Sequence, residues 1–228
     1  MNEMPPGARV ADRLPARRSV DPERLLRRLA WSGGVLCALM ATLVAWEYRK
    51  RVVSPPLPVL RMVGDFAVTN QTGLPLNSSA LRGRPWAVDL IFTRCPGPCA
   101  DLTRVMAAVQ RGLPSNSRAG LMSVSSDPEF DTPAVLAVYA GKFQADPARW
   151  QFVTGDKAEL RRLATEQLSL VLQDKAEPDR TTPDDLFLHS TLIVLMDGEG
   201  RLRAVVEGLE PGAAQRVLEL LARLEREG

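Results

Sequence analysis

The chemistry open to this chain of 228 residues rests on very few side chains, because it has only three cysteines and one histidine. Two of the cysteines, Cys95 and Cys99, close the segment Phe92-Thr93-Arg94-Cys95-Pro96-Gly97-Pro98-Cys99. A spacing of four puts both sulfurs on the same side of a helical turn, near enough either to grip one soft metal ion or to form a disulfide. Both chemistries are open at this point. The pair follows an apolar stretch, Trp86 to Phe92, that predicts a buried strand, and Pro98 is placed to open the next helix. At such a strand end and helix start, the helix dipole and the first backbone N–H groups favour thiolate, which predicts a lowered thiol pKa and raised reactivity. Cys37 lies in a separate apolar run, where a thiol behaves as a small hydrophobe, and it is assigned no function. So small a set of cysteines and histidine excludes a disulfide scaffold or a multi-zinc module.

The elements that must position these residues are legible in the rest of the chain. With 45% hydrophobic and 25% charged residues the composition is globular, and the length suits one well-cored domain with an appendage. A net charge of +2 produces no field that would make nucleic acid an expected partner. The charge is uneven, however, since residues 1–51 hold ten Lys and Arg against five acids. Within that region Leu29 to Trp46 runs for eighteen residues without a charge, about the length that crosses a bilayer as a helix, so membrane lipid is an expected partner of residues 29–46. The basic excess ahead of the span predicts an internal N-terminus and an outward-facing C-terminal domain. A cleaved signal peptide is disfavoured by Leu43 at a small-residue position, and a mitochondrial presequence by Glu3, Asp12, Asp21 and Glu23. The reading is a basic N-terminal tail (1–28), a transmembrane anchor (29–46), a Pro-rich extended spacer (47–62) and a folded domain (63–228).

Within that domain short apolar runs alternate with helical ones, which predicts an α/β fold. Strands are expected at Phe66–Thr69, Trp86–Phe92, Gly120–Ser125, Gln151–Thr154, Leu192–Met196 and Leu202–Glu207. Helices are expected at Thr132–Phe143, capped by Asp131 with Pro133 in its first turn, and at Asp156–Leu168, capped by its aspartate. A last helix, Pro211–Gly228, places Val217, Leu220, Leu221 and Leu224 on one stripe. The last two strands form an antiparallel hairpin across Asp197-Gly198-Glu199-Gly200. Alternating βα units that finish with a hairpin and a helix predict a thioredoxin-like sheet flanked by helices. In that sheet the strand opening the hairpin runs antiparallel to the strand that ends at the cysteines, so His189, just before Leu192, faces them. Two thiolates and one imidazole suit Cu(I) and adapt to Cu(II), whereas three protein ligands make a closed structural zinc site improbable. Copper is the expected metal.

The sequence resembles the SCO/SenC family of copper chaperones for cytochrome c oxidase assembly. The resemblance rests on the Phe92–Cys99 segment, on Val124-Ser125-Ser126-Asp127-Pro128-Glu129-Phe130-Asp131-Thr132-Pro133, and on Asp185 followed by His189-Ser190. It implies one copper ion per chain, Cu(I) or Cu(II), held by Cys95, Cys99 and His189. It further implies delivery to the copper-site subunit of the oxidase, with other copper chaperones or thiol reductants as further partners. The implied location is the bacterial inner membrane, single-pass with the domain in the periplasm; the alternative is the mitochondrial inner membrane facing the intermembrane space. The chain departs from the family pattern at Arg94, Gly97 and Ala100, where the family commonly has histidine, aspartate and proline.

Asp89 is a fourth departure, a carboxylate in the strand where the family has an apolar or aromatic residue. Its position six residues before the first cysteine resembles thioredoxin, which uses such a group to relay protons to its thiols. Alternation along the strand puts it with Ala87 and Ile91 beneath the cysteines, where desolvation is expected to raise its pKa. The competing function is therefore an extracytoplasmic thiol:disulfide reductase acting on the oxidase copper-site cysteines or on other thiols, with Cys95 and Cys99 as the redox pair and Asp89 as proton relay. His189 favours the copper carrier, which is not an enzyme.

Overall fold

The computed structural model describes residues 22–52, 55–95, 97–182 and 184–228; the side chain of His189 lies outside the described set, as do Pro96 and Pro183. The chain divides into two compact units, Met1–Pro55 and Pro56–Gly228.

The first unit is one helix, α1 (Pro22–Val52), 31 residues long. Pro22 occupies the first position, where its missing N–H costs nothing, and Glu23 lies at the positive end of the dipole. Its side chains from Trp31 to Arg49 are all exposed. Most of the basic tail expected at 1–28 lies outside the described residues. Among the described residues no helix is long and apolar enough to cross a membrane.

The second unit is built on an eight-stranded sheet among the described residues, made of β1 (Arg61–Met62), β2 (Ala67–Asn70), β3 (Pro75–Asn77), β4 (Trp86–Ile91), β5 (Gly120–Ser125), β6 (Trp150–Thr154), β9 (Leu192–Met196) and β10 (Arg201–Glu207). Their order is β1-β10-β9-β4-β5-β6-β2-β3. Strands β4, β5 and β6 are parallel to one another and the other pairings are antiparallel. The helices are α2 (Pro98–Gly112), α3 (Pro133–Lys142), α4 (Lys157–Arg162) and α5 (Ala213–Glu227). A two-stranded sheet, β7 (Leu172–Asp174) with β8 (Phe187–His189), stands apart from the main one.

Helices cover both faces of the central strands, so every residue of β4, β5 and β6 is buried and their sequences read as continuous runs. One face carries Ala87 and Ile91 against α2, α3 and α5; the other carries Trp86, Val88 and Leu90 against Leu160, Leu163 and Leu168. Trp86 and Trp150 are fully buried, each stabilising the fold by about 1.5–3 kcal/mol through lost apolar exposure. Their indole N–H groups donate to Leu81 O and Ser123 Oγ. Gly120 is required beside Trp86, because a Cβ there would come within 2.6 Å of the ring.

Three local expectations are corrected. The cap of α3 is Thr132, whose hydroxyl accepts from Val135 N–H, because Asp131 is drawn inward to other donors. The helix expected at 156–168 is α-helical only to Arg162 and continues as a π turn, Leu163–Gln167, although Asp156 caps it as expected. Strands β1, β3, β7 and β8 were not expected; each has only two or three residues, too few for a period to register.

Residues 57–62, read as spacer, lie against the domain. Leu60 N–H donates to Leu202 O, and Arg61 and Met62 pair with Leu202 and Arg201. Arg203, only 5% exposed, donates to Asp197 Oδ2 and Glu227 Oε2 at 2.7 Å each and to the carbonyls of Leu57 and Pro58. Leu57 N–H donates in turn to Glu227. An extended Pro-rich segment fits this edge because Pro58 has no N–H that would need a partner.

Candidate metal centre

Strand β4 delivers the chain to a tight turn, in which Cys95 N–H donates to Phe92 O at 3.2 Å, and α2 starts at Pro98 behind Gly97. Cys95 is half-buried, and Cys99, in the first turn of α2, is 1% exposed. Both are thiols, hydrogen-bonded to one another. The carbonyl of Cys99 accepts from Thr103 Oγ1, which also meets the Tyr139 hydroxyl at 3.0 Å.

The turn is held from beneath by Asp131. Its buried carboxylate accepts from Thr93 N–H at 3.2 Å, from Thr93 Oγ1, and from Ser125 Oγ at 2.6 Å. Burial pushes the Asp131 pKa up in spite of these donors. The motif that reads in sequence as a turn and capped helix thus also braces the cysteine loop, a role that sequence reasoning missed for Thr93, Ser125 and Asp131. Arg94 pairs with Asp127 at 2.7 Å and Asp184 at 3.4 Å and lies over the Phe130 ring. Its charge is thereby committed to two carboxylates.

The long loop before β8 is locked by Asp185, which accepts from Lys175 Nζ at 2.7 Å and from Thr181 N–H and Oγ1. These donors, Lys175 foremost, pull its pKa down to about 2. Strand β8 pairs with β7, with Leu172 opposite His189, and Phe187 sets its ring edge-on to Phe92 at 5.2 Å. This contact brings the backbone that carries His189 to the cysteine turn. A cleft of about 390 Å³ lies between them, lined by Phe92, Cys95, Pro98, Lys175, Asp185 and Phe187. The structure therefore brings together Cys95 and Cys99, and strand β8, which ends at His189, reaches the end of β4 through the Phe187–Phe92 ring contact. Among the described residues no group of three or more His, Cys, Asp and Glu side chains could hold a metal ion.

The thiol chemistry differs from the sequence expectation. Burial drives the Cys99 pKa far up, the hydrogen bond and charge of Cys95 add to this, and Asp89 contributes in the same direction. Loss of water outweighs the helix start here. Asp89 itself is fully buried on the central strand, and its charge also raises the Tyr139 phenol, whose shift comes mainly from burial. Cys99 is thus a protonated thiol at neutral pH, whose proton must leave when a metal or a disulfide forms.

Comparison with known proteins places this arrangement. Residues 56–224 match the family model described as SCO1/SenC. The chain is 26% identical over 155 residues to the SCO1 protein homolog of Bacillus subtilis, covering 67% of this chain and 77% of that one. The crystal structure of a SCO1/SenC family lipoprotein from Bacillus anthracis superposes with a TM-score of 0.63 at 26% identity, over 72% of this chain and 96% of that one. The structure of Bradyrhizobium japonicum ScoI with copper bound shares the fold, with a TM-score of 0.61 at 24% identity over 72% and 99% of the two chains. With the model match running from the linker through the cysteine turn and β8 into α5, the chain belongs to the SCO1/SenC family.

Proposed function

We propose that the domain carries one copper ion on Cys95, Cys99 and His189 and delivers it to the dinuclear copper centre of cytochrome c oxidase. The observation that carries this reading is the half-buried and buried thiol pair at the β4–α2 junction, with the His189 strand held beside it by Phe92 and Phe187. Membership of the family and the copper seen in the Bradyrhizobium relative support it. Two thiolates suit Cu(I), and an added imidazole extends the set to Cu(II). Residues 29–46 anchor the chain in the bacterial inner membrane with the domain on the periplasmic side; the run of exposed apolar side chains from Trp31 to Trp46 supports this.

Copper titration of the reduced chain tests the reading. One copper per chain is expected for the native protein and no tight binding for Cys95→Ser or Cys99→Ser, whereas stoichiometric copper on the double serine variant would overturn it. Because Cys99 keeps its proton until copper displaces it, affinity rises with pH, by roughly tenfold per unit for each proton released.

Thiol:disulfide exchange at the same pair is the second reading, favoured by one observation, the fully buried Asp89 that acts on Cys99. Its measure is the reduction rate of the Cys95–Cys99 disulfide against pH.

A further inference from the structure

We propose that the end of the sheet opposite the cysteines is a docking face for an anionic phospholipid surface. Parallel strands β4, β5 and β6 all begin at this end, and arginines precede each: Arg82 and Arg84 before β4, Arg118 before β5 and Arg149 before β6. Arg61 on β1 joins them beside the β9–β10 hairpin. Four of these guanidinium groups are held by backbone carbonyls, which orient a charge without cancelling it. Arg61 donates to Glu166 O at 2.7 Å, Arg82 to Glu199 O, Arg118 to Gly83 O at 3.3 Å, and Arg149 to Ser115 O at 2.9 Å. Arg84 lies 4.2 Å over the Trp86 ring. Burial pulls the Arg84 pKa below its ordinary value, a desolvation cost that a nearby anion relieves.

Three of the acids at this end are paired with other arginines. Asp197 is taken by Arg201 and Arg203, Glu227 by Arg203 and Arg223, and Glu199 by Arg201. Glu225 accepts from neutral donors, Ser117 Oγ and the N–H groups of Arg118 and Ala119, so it keeps its charge and offsets part of the arginine excess. At the cysteine end the pattern is reversed, with Arg94, Lys157 and Lys175 all paired to carboxylates.

Chain connection selects lipid as the occupant. Residues 57–62 return to the arginine end, held there by Arg203 and β10. From Trp46, the end of the proposed span, six helical residues to Val52 rise roughly 9 Å, and the five residues on to Leu57 add at most roughly 18 Å of extended chain. The inference rests on the anchoring reading above: a bilayer that holds α1 is within reach of this face by chain length alone. Each arginine brought near an anionic bilayer strengthens contact by roughly fivefold, and salt screens it.

The test uses the full chain with vesicles of phosphatidylcholine alone and of phosphatidylcholine mixed with phosphatidylglycerol. Flotation reports the anchor, and amide exchange in segments 82–85, 117–119 and 147–149 reports the face. Exchange there is expected to slow several-fold on the phosphatidylglycerol vesicles at low salt only, while segment 175–189 is unchanged. Changing Arg82, Arg118 and Arg149 together to Gln removes the slowing, and changing them to Lys keeps it. Binding to both vesicle types with equal exchange, or slowing that survives in the Gln variant, overturns the face and leaves the anchor standing. Binding to neither overturns both readings; binding only to phosphatidylglycerol vesicles, through the arginines, overturns the anchor and upholds the face.

Discussion

The two ends of the central sheet are organised by opposite means. At the end where β4 finishes, long loops are braced by carboxylates that reach backbone N–H groups and hydroxyls: Asp131 to Thr93, Asp185 to Thr181. At the end where β4 begins, short turns are locked by a buried ion cluster around Arg203. The first arrangement leaves a cleft beside a half-buried thiol; the second fastens the linker. The cysteine pair thus sits where carboxylates hold N–H groups, hydroxyls and partly exposed cations, and the linker where the ion pair is buried on both sides.

Substitutions at the two ends should therefore part stability from copper binding. The largest loss of stability is expected for Arg203→Ala, roughly 3 kcal/mol, the lower end for removing one partner of a buried pair, because Arg201 and two backbone N–H groups remain on Asp197. Copper stoichiometry should stay at one per chain; denaturant unfolding with parallel copper titration checks both, and a loss of copper from the folded variant would couple the ends. Asp131→Ala should cost about 1–3 kcal/mol, since Thr93 N–H and Ser125 Oγ lose their acceptor in a buried setting. Unlike the first, it should weaken copper retention, because the turn that carries Cys95 is loosened. Unchanged copper off-rates in Asp131→Ala would show that the turn is held by other means.

Asp89→Asn should have the smallest effect. Removing the carboxylate takes away one contribution that raises the Cys99 pKa, so more thiolate is present at a given pH. The rate profile for disulfide exchange should move to lower pH by less than about one unit, with one copper still bound per chain. Superimposable profiles would remove Asp89 from the thiol chemistry.

Much of this organisation is legible in the sequence, for physical reasons that differ by element. The central strands are buried on both faces, so Gly120–Ser125 and Leu192–Met196 stand out as apolar runs with the observed limits. The cysteine pair is legible because strand end, proline and spacing coincide; alternation along β4 sets the face that Asp89 shares with Ala87 and Ile91, while its burial comes from the covering of both faces of the strand. The pairing of β7 with β8 is not legible, since three-residue strands across an irregular loop leave no periodic trace. Nor is the choice of Thr132 over Asp131 as cap, which depends on Thr93, 38 residues away along the chain from Asp131. The raised thiol of Cys99 escaped for a similar reason: local sequence shows the helix start, while the desolvation comes from residues packed in three dimensions.

The central claim, that the thiols at the loop-braced end are the copper ligands, is tested most directly by X-ray absorption of the reduced chain loaded with one equivalent of Cu(I). Two sulfur ligands and one nitrogen are expected in the first shell, with the nitrogen alone lost in His189→Ala. A first shell of nitrogen and oxygen only, or a sulfur shell that persists when Cys95 and Cys99 are both serine, would contradict it.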